Sequence, residues 1–342
     1  MEKAELEKTN RNVKLNLLKG IACIGVVFIH ITPPGLFGDI LVYGFQFAVP
    51  IFLMIAGYYA YGKEEDVIKR RLIKIVKIFL YAYLVFFLYK LTFSLKDHEL
   101  NKWLSESYKW DTPIKYICFC TINFAVPLWY LIAMIETYIV WLFVVKGKKE
   151  DVAIKLTPIL FLFQIILTAY CETNHLKWFW KINFLAQALP WFMLGYYLHT
   201  EKAQKVREIK TSILALLAMA GFMIEIMPSV FDLSLKFNVV GYLPCTFGLF
   251  CLALKNPEKS ICKPIEFLGD KLSLNVYILH VPISGIIGLV ASDVFSVNIK
   301  SKSFLWVRPV IVLVVTILVS WAIYEIKTSV RKNRKSLTEE LK

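Results

Sequence analysis

The chain has 342 residues, 57% of them hydrophobic and 15% aromatic, with a mean hydropathy of +0.57. An ordinary globular domain is about 45–50% apolar, so the composition excludes a soluble globular fold and describes a polytopic membrane protein. The net charge of +14 does not imply nucleic acid, because the basic residues lie in short clusters between apolar runs, as cytoplasmic loops arrange them, and no nucleic-acid module is present.

A membrane-spanning helix needs about 20 mainly apolar residues. In chain order the sequence predicts ten such helices, at about 14–32, 39–62, 72–94, 127–146, 153–171, 182–199, 211–228, 238–255, 271–291 and 305–326. A shorter apolar run at 113–125 reads as re-entrant or interfacial. The expected fold is therefore an all-α integral membrane bundle forming one domain over 1–342, with a helical core at about 14–326 and a basic cytoplasmic tail at 327–342. The segments 1–19, 61–77, 146–155, 199–210, 255–271 and 327–342 hold 29 of the 40 Lys and Arg residues. By the positive-inside rule these segments, and both termini, are expected on the cytoplasmic side. The first apolar run is long and lacks a small-residue cleavage site, so it reads as a retained helix and not a signal peptide. The seven cysteines, most of them inside apolar runs, show neither a disulfide framework nor a zinc spacing.

Ionisable residues inside a bilayer are costly and mark function. Lys19 and His30 lie eleven residues apart on the first predicted helix, about 20° from alignment on one face and about 16.5 Å apart along the axis. Snorkelling explains Lys19 alone and a structural hydrogen bond explains His30 alone. A shared path through the membrane explains both. The stretch Lys63–Phe79 places Lys69, Arg70, Arg71, Lys74 and Lys77 at the cytoplasmic surface. They suit anionic lipid, and the paired arginines also suit bidentate phosphate recognition. Glu136 and His280 fall near the middle of their predicted helices. They need partners there, either between helices or from a substrate. Gly57 reads as a close helix contact. Asp39, Glu225, Arg308 and Glu325 fall near helix ends and read as interfacial, and His98, His175 and His199 carry no assigned role. With no P-loop, no G-x-S-x-G elbow and no H-E-x-x-H zinc motif, His30 is the best candidate for chemistry.

The ordered set of landmarks resembles the acyltransferase family 3 of integral membrane proteins. "KGIACIGVVFIH" is similar to the family's arginine, ten residues and histidine, with lysine at position 19. "PIFLMIAGYY" resembles its phenylalanine-rich run before Ser-Gly-Tyr, with alanine at position 56, and "IKRRLIKI" resembles the basic arginine pair that follows. "PLWYLIAMIETY" resembles its Leu-Trp-Tyr/Phe-Leu motif with a downstream glutamate, and "SLNVYILHVP" its late Ser-Leu-x-x-Tyr-x-x-His-x-Pro motif. The likeness covers about residues 12–326.

The resemblance implies acyl transfer from cytosolic acyl-CoA, most simply acetyl-CoA, to a hydroxyl of a cell-envelope saccharide or other external acceptor, in a bacterial cell membrane. It implies His30 as the catalytic histidine and Lys19 as the basic partner on the acyl-CoA path. Arg70 and Arg71 become contacts for the cofactor phosphates, and Glu136 and His280 line the central cavity with no metal. The pattern "AVPIFLMIAGYY" is also similar to the membrane half of the vancomycin-resistance membrane-bound serine racemases. That likeness implies L-serine transport or delivery, with a cytoplasmic enzyme domain following the tail.

Overall fold

A computed structural model describes residues 12–231 and 238–340. Among the described residues the chain is helical, with no strand. The first helices are α1 (Val13–His30), α2 (Leu36–Gly44), α3 (Ala48–Tyr58), α4 (Glu65–Lys96), α5 (Leu100–Ser107) and α6 (Thr112–Phe119). Then come α7 (Trp129–Lys146), α8 (Glu150–Thr173), α9 (Leu189–His199), α10 (Gln204–Glu208) and α11 (Thr211–Val230). The series closes with α12 (Asn238–Leu254), α13 (Lys263–Phe267), α14 (Ser273–Asp293) and α15 (Lys302–Glu340).

Eight helical stretches among the described residues are long and apolar enough to cross a membrane. They are Val13–His30, Leu36–Tyr58, Glu65–Lys96, Val126–Lys146, Glu150–Thr173, Thr211–Val230, Lys263–Asp293 and Lys302–Arg334. Two of the ten segments expected from hydropathy are shorter. The one at 182–199 begins as a π-helical turn, Phe184–Ala188, and continues as the 11-residue α9, with Pro190 in its first turn. The other is the 17-residue α12. The expected span at 39–62 is broken between α2 and α3, with Pro50 in the first turn of α3, where its missing N–H is tolerated. The run at 113–125 forms the eight-residue α6 and then an irregular, largely buried segment that turns through a left-handed Cys120 (φ 49°). The basic tail at 327–342 continues α15 to Glu340, and Leu341 and Lys342 lie outside the described residues, as do residues 1–11.

The helices form two compact units. The first takes residues up to Phe45 and from Asn256 onward, and contains α1, α2, α13, α14 and α15. In it α1 packs on α13, on the π-helical turn Leu268–Leu272 and on α14, while α14 also packs on α15. The second unit, Gln46–Lys255, is organised by the pairs α3 with α9, α4 with α7, and α11 with α12.

In lipid there is no hydrophobic gain from pairing helices, so close van der Waals packing between small residues holds them. In the second unit Gly57 and Gly195 do this reciprocally. A Cβ on Gly57 would stand 1.8 Å from the Phe192 carbonyl oxygen, and one on Gly195 2.0 Å from that of Met54. The expectation that Gly57 marks a close helix contact is met. Helix α4 opens with Glu65 and Asp66 and ends with Lys96, and α8 opens with Glu150 and Asp151, so both carry acidic residues at the positive end of the helix dipole.

Candidate active site

In the first unit, the Asn12 side chain accepts a hydrogen bond from the Leu15 N–H at 2.8 Å and caps the start of α1. Helix α1 ends at His30 because the following residues cannot extend it. Ile31 leaves the helical region, Pro33 and Pro34 carry no N–H, and the Thr32 hydroxyl donates to the Phe28 and Ile29 carbonyls at 3.1 and 3.2 Å. His30 thus stands on the last turn, exposed on its outer side.

Contacts along α1 fix what His30 meets. The Val13 N–H donates to the Pro257 carbonyl at 2.8 Å. A Cβ on Gly20 would lie 2.2 Å from the Ile265 carbonyl oxygen, and one on Gly269 would lie 2.0 Å from that of Asn16. Further on, the Cys23 thiol lies 3.8 Å from the Ser273 carbonyl. The two segments therefore run parallel, and both histidines stand seven residues, about two helical turns, beyond this last contact. There the His30 and His280 rings meet, with centroids 5.2 Å apart and planes tilted by 40°.

His280 is completely buried. Its Nδ1 lies 3.1 Å from the Val276 carbonyl, which can only accept, so Nδ1 carries the proton and Nε2 presents a lone pair. That Nε2 is buried with no hydrogen-bond partner. The pair thus combines an imidazole on an exposed last turn with an unsatisfied acceptor beside it. Lys19 lies on the same unbroken helix, half-buried and one turn before Cys23.

The other expected residues belong to the second unit. Glu136, on α7, accepts a hydrogen bond from the Cys120 thiol at 3.1 Å. Cys120 reaches it through the left-handed turn that ends α6, a pairing across 16 residues that no helical spacing announces. Arg70 and Arg71 open α4 on diverging faces: Arg70 is exposed, whereas Arg71 is half-buried and lies near the Tyr138 hydroxyl on α7. Tyr138 follows Glu136 by two residues and is itself buried.

Two residues read as interfacial have other surroundings. Glu225 is fully buried between α11 and α12, with neither carboxylate oxygen hydrogen-bonded, because Gly241 lets the backbones approach there. Arg308 turns inward to Ser284 on α14. Among the described residues no group of three or more His, Cys, Asp or Glu could hold a metal ion, and all seven thiols are free.

A family model described as an acyltransferase domain matches residues 12–325, nearly the whole described chain. Comparison with curated proteins and with solved structures gives no match.

Proposed function

This chain belongs to acyltransferase family 3 and is a multi-pass membrane acyltransferase, and from that premise we propose that it is an O-acyltransferase. In this reading it moves an acyl group, most simply acetyl, from cytosolic acyl-CoA to a hydroxyl of a cell-envelope acceptor on the far side of the cell membrane. The observation that carries the reading is the His30–His280 pair: an accessible imidazole at a helix end, backed by a buried one whose Nε2 lacks a partner.

His30 acts as general base. It takes the proton of the acceptor hydroxyl as the oxygen attacks the thioester carbonyl, the carbon–sulfur bond breaks, and the departing CoA thiolate takes the proton back. The products are an ester and free CoA thiol. When His30 becomes an imidazolium, its second N–H needs an acceptor, and His280 Nε2 supplies one because its Nδ1 is committed to Val276. In this reading His280 is the acceptor that the imidazolium gains as it forms, the part an orienting group plays in a hydrolase triad.

In this reading acyl-CoA enters from the cytoplasmic side, to which the basic-residue asymmetry of the sequence assigns both termini. The exposed Arg70 is placed to take a phosphate, and Arg71 is half-buried beside Tyr138. Lys19 offers a point charge part-way along the path. Glu136 holds a half-buried carboxylate oriented by the Cys120 thiol within the second unit.

The test is release of CoA thiol from acetyl-CoA by proteoliposomes of the full chain. Thiol release that His30→Ala lowers by roughly 10²–10⁴-fold supports the reading. Equal thiol release by parent and His30→Ala contradicts it.

A further inference from the structure

The charge on Arg308 is not used by the scheme above. It lies in the second turn of α15, half-buried, and its Nη2 donates to the Ser284 hydroxyl at 2.9 Å and approaches the Ser284 carbonyl at 3.4 Å. Its Nε is buried and makes no hydrogen bond. Among the described residues no carboxylate is ion-paired with it. A guanidinium in a membrane bundle needs a counter-charge.

The direction in which the side chain runs narrows the source of that charge. An arginine serving only the headgroups extends outward to the interface. This one bonds a serine that is only 4% exposed. Ser284 stands four residues after His280 on α14, which puts it on the same helix face about 6 Å further along. The guanidinium is therefore held one turn from the histidine pair with its Nε–H unpaired, and a planar guanidinium anchored at one nitrogen keeps donors for an oxyanion.

We propose that Arg308 binds an anionic group, a carboxylate or phosphate, carried by the acyl acceptor, and so selects acidic over neutral acceptors. The proposal rests on the acyltransfer reading for its meaning, but the binding step can be measured without it. Ser284 is the positioning residue: by anchoring Nη2 it aims the remaining donors.

The experiment is equilibrium binding of radiolabelled glucose, glucuronate and glucose 1-phosphate to the full chain in phosphatidylcholine nanodiscs, with acetyl transfer measured on the same preparation. The expected result is that at least one acidic sugar binds roughly ten- to a hundredfold more tightly than glucose. Arg308→Gln abolishes that preference, Arg308→Lys keeps part of it, and Ser284→Ala weakens it. Equal binding of the three sugars, or a preference that survives Arg308→Gln, overturns the proposal. Loss of the preference when phosphatidylglycerol is added assigns Arg308 to headgroups and also overturns it. Arg308-dependent binding without acetyl transfer upholds the anion site and counts against the acyltransfer reading, so the two fail separately.

Discussion

The rings of His30 and His280 meet at 5.2 Å although, among the described helices, one residue comes from the first and the other from the second-last. His30 is open on one side, while His280 is closed in, its Nδ1 held by the Val276 carbonyl and its Nε2 unpaired. In the proposed function two imidazoles so unequally placed take unequal tasks: the first meets the substrate and the second serves its neighbour.

That inequality predicts different losses. On the proposed reading His280→Ala removes the acceptor that the His30 imidazolium gains during the reaction, and a hydrogen bond to a charged group is worth about 1.5–3 kcal/mol. The expected effect is a roughly ten- to hundredfold fall in kcat with acyl-CoA affinity unchanged. His280→Gln, which keeps an acceptor oxygen, restores part of the rate. Steady-state kinetics with acetyl-CoA reads both, and a change confined to KM would remove His280 from the positioning role.

The register that brings the histidines together depends on Gly20 and Gly269. Gly20→Ala places a methyl group against the Ile265 carbonyl, where neither backbone can give way easily. A loss of about 1–3 kcal/mol of stability is expected, read as a lower Tm in detergent. Activity falls with it, because α1 is displaced from the segment that carries His280. Gly288→Ala, at an open position of α14, serves as the control and should change neither.

The first helix illustrates how much was legible in the sequence. Its start and end are written in Asn12, Thr32, Pro33 and Pro34, and its apolar length identifies it as a span, so Val13–His30 lies close to the expected 14–32. Breaks were harder to read. Hydropathy averages over the turn between α2 and α3 and over the π-helical turn before α9, because both remain apolar. The placement of Lys19 and His30 on one face follows from helical spacing alone. Their neighbours do not: the meeting of His30 with His280 depends on glycines in two distant segments, and Cys120 reaches Glu136 only through a left-handed turn. Glu225 read as interfacial because it falls near a helix end, and only its packing against α12 at Gly241 shows that it is enclosed.

Cysteine accessibility checks the segment after α6. Cys118 is exposed and Cys120 is fully buried with its thiol on Glu136. In the folded protein Cys118 should react with a maleimide at least tenfold faster than Cys120, since reactivity follows access to the thiolate. The difference should vanish in denaturant. Mass spectrometry of the labelled peptides distinguishes the two, and equal rates in the folded state would place Cys120 elsewhere.

The two arginines of α4 should separate. Arg70 is exposed, so Arg70→Gln is expected to weaken acyl-CoA binding several-fold at low salt and less at high salt, without lowering the Tm. Arg71 is half-buried beside Tyr138, so Arg71→Gln should lower both affinity and Tm. Binding isotherms at two ionic strengths together with melting curves test this. A Tm change for Arg70→Gln and none for Arg71→Gln would reverse the assignment.

The most direct test of acyl transfer centred on His30 is binding of radiolabelled acetyl-CoA to the purified full chain, followed by a chase for release of the acetyl group, comparing parent with His30→Ala and Arg71→Ala. The account predicts that the parent binds and turns over, that His30→Ala binds with parental affinity and does not turn over, and that Arg71→Ala binds poorly. A parent that binds no acetyl-CoA, or a His30→Ala variant that releases acetyl at the parental rate, would contradict it.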